Sequence, residues 1–256
     1  MTLTEQNYHS IEANQVYMSA SQFKAFQRCE AAALEESMGR WTPEPTTALL
    51  VGSYVDAHFS QTLDLFKAQN PAIFKRDGGL KAEFQQAEEI ISRIERDPVF
   101  MEHLDGERQP ILTGAIGGVP FKAKPDVLHP DRIVDLKIMR DFAPVWSAEE
   151  GHRVPFVEAW GYDFQGAIYQ EIVRQNTGKR LPFIIAAATK EPVPDIGLFS
   201  IPQARLDYCL DLVEHLAPEY SEIKLGVRWS DRCEKCDFCK ATKRLDGPVD
   251  YDAVAV

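Results

Sequence analysis

No run of this chain is apolar for long enough to cross a bilayer, which takes about 20 residues. No membrane-spanning helix and no membrane partner are therefore expected. The opening MTLTEQNYHSIEANQ lacks the basic, apolar and small-residue succession of a secretory signal, so the expected location is the cytoplasm. Cysteine is scarce and odd in number: five in all, three of them crowded into residues 233–239. That count does not fit a secreted disulfide framework. It fits a reduced compartment and a metal site. Positive charge is short, with 28 Lys and Arg against 39 Asp and Glu and a formal net charge of −11. Such a balance disfavours non-specific coating of DNA, because phosphates are held by Lys and Arg. It leaves room for a local basic groove, and carboxylates that await a divalent cation count as negative until the cation arrives. Internal repeats and low-complexity tracts are absent as well.

What is present suffices for one sizeable core: 256 residues, 45% hydrophobic. The spacing of apolar residues predicts a helix over 19–38, capped by Ser19 or Ser21, with Phe23, Phe26, Ala33 and Leu34 on one stripe. A second helix is expected over 46–70, after Pro43 and Pro45, and a third over 80–104 with Phe84, Ala87, Ile90, Ile91 and Ile94 at helical spacing. From Gln109 to Ile138, β-branched and turn residues alternate in short blocks, which predicts a meander of three strands. Helix returns over 156–176. LPFIIAAATKE reads as a buried strand, GLFSIP as a shorter one, and 202–225 as a last long helix. This succession is a mixed α/β domain. Its expected extent is 1–227, followed by a Cys-rich segment over 228–245 and a disordered tail over 246–256.

The stretch PDVLHPDRIVDLK, residues 125–137, carries the chemistry. Side chains alternate on a strand, so Asp135 and Lys137 share a face while Leu136 points to the core. Asp126 sits at the end of the preceding arm, and a turn of a few residues brings it beside Asp135. Two carboxylates aimed at one point repel unless a cation neutralises them. Hard oxygen ligands select Mg²⁺ or Mn²⁺. Such an ion acidifies water and polarises a phosphate, and Lys137 can orient the attacking water or offset developing charge. The plain alternative is a solvated hairpin face whose Asp and Lys pair for little energy. Lys122 and Lys124 alternate with Asp126. Lys124 shares its parity and is a candidate contact to a DNA strand, an exposed strand face being the alternative.

With these residues the chain resembles the PD-(D/E)XK nuclease superfamily, in particular its RecE/RecB-like branch of phage-type exodeoxyribonucleases. The resemblance runs from SASQFKAFQRCE to the Cys-rich tail. It implies a restriction-endonuclease-like α/β core, a central mixed β-sheet flanked by helices. It places Asp126, Asp135 and Lys137 on the core motif and Gln165 and Tyr169 on the motif helix that follows. Residues i and i+4 share a helix face, so both of these can reach a phosphate. The family's upstream Gly and His, four residues apart, meet Gly52 and Asp56 here, with His58 two residues further on. Asp56 is thus the positional match and His58 the rival. The extra acidic position before the core falls near Gln109, a departure from the pattern.

RCEKCDFCK spaces Cys233, Cys236 and Cys239 two residues apart, so that their thiolates can share one metal or cluster. Cys209 lies among apolar neighbours in YCLDLVEHL and reads as core. In AddB-type and CRISPR-adaptation nucleases one N-terminal and three C-terminal cysteines hold an iron–sulfur cluster. By that likeness Cys29 is the fourth ligand, the cluster is of the 4Fe-4S type with Zn²⁺ as the alternative, and the segment packs on the first helix.

The resulting expectation is a metal-dependent exodeoxyribonuclease acting on linear duplex DNA ends in phage-type recombination or repair. Mg²⁺ or Mn²⁺ is held by Asp126, Asp135 and the Leu136 carbonyl. A single-strand annealing protein is the expected partner, and a homo-oligomer with a basic channel reconciles the acidic charge with DNA. An endonuclease of the same superfamily, and a non-catalytic nucleic-acid-binding module organised by the cysteines, are the alternatives.

Overall fold

The structure is a computed structural model that describes residues 1–148, 150–245, 247, 248 and 250. Most of the tail expected from 246 onward lies outside the described residues.

The chain begins with three short helices, α1 (Ile11–Val16), α2 (Ala20–Arg28) and α3 (Glu30–Ser37). Ser10 and Ser19 cap the first two, each accepting the backbone N–H three residues on. The helix expected over 19–38 is broken at Cys29, whose backbone is extended at φ −167° and ψ 107°. Next come α4 (Thr47–Phe59), α5 (Leu63–Gln69), a 3-10 turn over Pro71–Ile73, α6 (Ala82–Glu95) and α7 (Pro98–Leu104). Two further expected helices are thus also broken. Gln61, at φ +60°, separates α4 from α5. Pro98 separates α6 from α7, because it lacks an N–H and suits the first position of a new helix, which Asp97 caps at Phe100 N.

The strands are β1 (Glu107–Arg108), β2 (Leu112–Ile116), β3 (Val119–Ala123), β4 (Val127–Leu128) and β5 (Ile133–Met139). The expected meander is in fact two ladders. β2 and β3 form their own hairpin, closed by Gly117 and Gly118 at φ +57° and +77°, the left-handed pair that a two-residue turn requires. β4 and β5 belong to another sheet. A short hairpin of β6 (Val145–Ser147) and β7 (His152–Val154) leads into α8 (Phe156–Ala159) and α9 (Tyr162–Thr177). Then follow β8 (Phe183–Thr189), β9 (Ile196–Ser200), α10 (Gln203–Lys224) and α11 (Asp237–Ala241).

The central sheet has the order β1-β4-β5-β8-β9, with β5 and β8 parallel and the other pairs antiparallel. Parallel strands at a sheet centre are covered on both faces, which is why β8 reads FIIAAAT with no alternation. Val134, Leu136, Ala186 and Ala188 face α4 and α6. Ile133, Phe183, Ile185 and Ala187 face α9 and α10. A third cluster fills the space between the β2–β3 hairpin, α2, α9 and α10. Gly166 lets α9 lie close to the sheet: a Cβ there would meet Phe183 at 2.7 Å and Leu206 at 3.0 Å. This is the central mixed sheet with flanking helices that the sequence implied.

Candidate active site

β5 delivers Asp135 and Lys137 to one face, where they form an ion pair. Asp135 is 2% exposed. Asp126 arrives from just ahead of β4. Because β4 pairs β5 only through Val127 and Leu128, the β5 edge continues without a backbone partner. The Asp126 carboxylate takes its place, with Oδ2 accepting the Leu136 N–H at 2.7 Å. Asp126 is therefore locked to the strand that carries Asp135. Leu136 sends its side chain into the core, and its carbonyl lies 3.5 Å from Lys137 Nζ.

From α9, Gln165 donates through Nε2 to Asp135 Oδ1 at 2.7 Å. Tyr169, one turn on, donates its hydroxyl to the Lys124 carbonyl at 3.4 Å. From α4, Asp56 faces the same point, close enough to feel Asp135, Asp126 and Lys137. His58 leaves the site and pairs with Glu95 at 2.8 Å. Gln109 reaches the edge of the site, donating its backbone N–H to the Asp126 carbonyl and its side chain to Ser60. Of the residues singled out above, the structure brings together Asp56, Asp126, Asp135, Lys137, Gln165 and Tyr169, with Gln109 and Lys124 beside them.

Burial pushes the Asp126 carboxyl well above its usual range, and Asp135 and Asp56 push it further against the pull of Lys137. Asp56 is raised in the same sense, by burial and then Asp135, with Lys137 opposing. Burial alone would lower Lys137, but Asp135 and Asp126 more than offset it and hold the ammonium above its usual range. Tyr169 is raised by burial and by Asp135, so its hydroxyl keeps its proton.

Three carboxylates and one ammonium leave a surplus of negative charge in a buried place. Asp135 Oδ2 meets only the Lys137 ammonium, with no regular hydrogen bond. All the donors are hard oxygens. This set fits a small divalent cation of the Mg²⁺ or Mn²⁺ kind.

The site opens into a cleft of about 620 Å³. Asp56, Asp126 and Gln165 line it together with Lys24 and Arg28 of α2, Glu36 and Lys124. Its charge is therefore mixed, with cations and carboxylates together. Lys124 also pairs with Glu5 at 2.7 Å. Lys122, by contrast, is buried and donates to the Tyr8 carbonyl and to Asn14, so it presents no exposed strand face. Three residues were missed: Lys24, Arg28 and Tyr162. Lys24 is lowered to about 8 by burial and by Lys137, and the Tyr162 ring lies 5.4 Å from both ammonium groups. Nothing in their local sequence marks them; tertiary packing alone brings them here.

Residues 19–242 match a family described as a PDDEXK-like domain of unknown function (DUF3799). The chain belongs to this family. A solved protein of Eubacterium rectale, described as a "Putative exonuclease", is 47% identical, covers 100% of this chain and 99% of its own, and superposes with a TM-score of 0.95. A structure of SSO0001 aligns over 86% of this chain and 91% of its own at 14% identity and a TM-score of 0.27, too low to carry an argument. No curated protein matches the chain. Asp126, Asp135 and Lys137, expected from the sequence on the core motif, are among the residues the fold gathers.

A second cluster lies apart from the cleft. Cys29, at the α2–α3 break, meets Cys233, Cys236 and Cys239, and all four sulfurs lie within 4.8 Å of one another. Such a group could bind a metal. Cys209 is fully buried beside Leu206, as expected of a core residue. Among the described residues no helix is long and apolar enough to cross a membrane.

Proposed function

We propose that this chain is a metal-dependent deoxyribonuclease that hydrolyses phosphodiester bonds at the ends of duplex DNA. The observation that carries this reading is the convergence of Asp56, Asp126, Asp135 and Lys137 on one buried point beside a cleft that Lys24, Arg28 and Lys124 help to line. Membership of the PDDEXK-like family supports it, and the "Putative exonuclease" description of the Eubacterium rectale protein favours action at ends.

Asp126, Asp135 and the Leu136 carbonyl, with Asp56, would hold Mg²⁺ or Mn²⁺. When bound, the cation would polarise the scissile phosphate and acidify an attacking water. Lys137 keeps its proton at neutral pH, so it acts as a fixed positive charge that orients the water and offsets charge on the phosphate. Gln165 fixes the rotamer of Asp135. Tyr169 offers a protonated hydroxyl at the cleft. Lys124, Lys24 and Arg28 hold the strand by its phosphates. The biological setting in this reading is phage-type recombination or repair in the cytoplasm, with a single-strand annealing protein downstream and a homo-oligomeric assembly around the duplex.

End-labelled linear duplex and a covalently closed circle, each incubated with Mg²⁺ or with EDTA, test it. Label released from the linear DNA alone, and only with metal, is the expected result. Cutting of the closed circle would make the protein an endonuclease on the same site. No cutting with either Mg²⁺ or Mn²⁺ would leave a binding module and overturn the reading.

A further inference from the structure

We propose that Cys29, Cys233, Cys236 and Cys239 bind one four-coordinate thiophilic ion, of the Zn²⁺ class, and that this ion clamps the α2–α3 break to the C-terminal segment. The spacing of the sulfurs is the first argument. A single ion about 2.3 Å from each of four thiolates sets them about 3.8 Å apart. Cys29 and Cys239 stand 3.6 Å apart, Cys233 and Cys239 3.9 Å, and no pair exceeds 4.8 Å. In a cubane cluster each thiolate sits on its own iron at its own corner, so four ligand sulfurs cannot crowd around one centre. Here they do. The cluster expected from family likeness therefore fits this cage less well than a lone ion.

The surroundings suit thiolates. Cys233 Sγ accepts the N–H groups of Lys235 at 3.5 Å and Cys236 at 3.3 Å, and Cys236 Sγ accepts that of Cys239 at 3.4 Å. Each such bond offsets sulfur charge. The Arg232 guanidinium donates to the Cys239 carbonyl at 2.7 Å, placing a cation against a cage whose four thiolates outweigh one divalent ion.

Energetics supply the third argument. The buried contact between this segment and the N-terminal helices consists of Cys29, Ala31, Ala32 and Cys239, with Phe238 partly buried at its edge, its ring edge-on to Trp41 at 5.5 Å. The Ala31 N–H donates to the Asp231 carbonyl and the Asp231 N–H to the Glu30 carboxylate, and two such bonds add little. Small side chains bury little apolar area. A metal that binds only the folded arrangement makes up the difference, since its binding energy becomes folding energy. The clamp also bears on the cleft, because Cys29 is the C-cap of α2, which carries Lys24 and Arg28 into the cleft lining.

The test is metal and acid-labile sulfide analysis of the full chain, purified without oxygen from cells supplied with both iron and zinc, followed by exchange with Co²⁺. One zinc per chain, no sulfide, and a cobalt form with the visible bands of a tetrahedral thiolate site are expected. Released with a chelator, the ion should expose four thiols together and lower the melting temperature. Iron with stoichiometric sulfide would overturn the proposal, and so would folded protein that carries neither metal. These readouts do not involve DNA, so they stand or fall separately from the nuclease assignment.

Discussion

At the scale of residues, the account rests on a chain of positioning contacts. Leu136 N–H fixes Asp126, and Gln165 fixes Asp135. Gln165→Ala should leave the fold intact and lower cleavage by about 10- to 100-fold, the usual cost of removing a group that orients a metal ligand. Rates measured against circular dichroism of the same preparation check this; wild-type activity would show that Asp135 needs no such support. The raised Asp126 and Asp56 carboxyls give a pH signature. A carboxyl whose folded value lies above its unfolded value, about 3.9, stabilises the metal-free fold below that value and loses the contribution as pH rises through the folded value. A divalent cation replaces the lost protons. Mg²⁺ or Mn²⁺ should therefore raise the melting temperature at pH 8 and much less at pH 5, and thermal melts with and without EDTA read the difference. The residues that could be found in the sequence were those tied to a local period: Asp135 and Lys137 by strand parity, Gln165 and Tyr169 by one helical turn. Lys24 and Tyr162 could not, because only the packing of α2 against α9 brings them to Lys137.

At the scale of elements, the apolar stripes of the helices were legible and their interruptions mostly were not. Cys29 stands between good helix formers, and its extended backbone serves a contact with residues more than two hundred positions away. Pro98 was a readable stop. The split of β2–β3 from β4–β5 was hidden because both pairs have the same strand-and-turn texture; the hairpin is held instead against α9 and α10, through Phe121, Ile168 and Val213. Gly166, next to Gln165 on α9, sets how close the helix comes to β8. Gly166→Ala forces Phe183 and Leu206 aside in a close-packed core and should cost about 1–3 kcal/mol in urea unfolding. An unchanged midpoint would mean that α9 can retreat at no cost.

At the scale of the molecule, the contrast is between a net charge of −11 and a cleft that Lys24, Arg28 and Lys124 help to line. The sequence shows the first and the fold shows the second. Lys24→Ala with Arg28→Ala should weaken DNA binding for all sequences alike and reduce the salt dependence by about one to two phosphate contacts. Because Lys24 is lowered to about 8, mainly by burial, its share of the affinity should fade as pH rises through that value. Binding isotherms at several salt concentrations decide it; a slope unchanged in the double variant would place the DNA elsewhere on the surface.

The central claim is that the carboxylates gathered by β5, the residue before β4, and α4 form a cation site that cuts DNA. Wild-type protein and Asp135→Asn, side by side on end-labelled linear duplex with Mg²⁺, test it most directly. The substitution removes a charge at nearly constant volume, so the fold should survive. Cleavage should then fall by more than about 100-fold, beyond the range for a merely orienting group. An Asp135→Asn protein that still releases label at the wild-type rate would contradict the account.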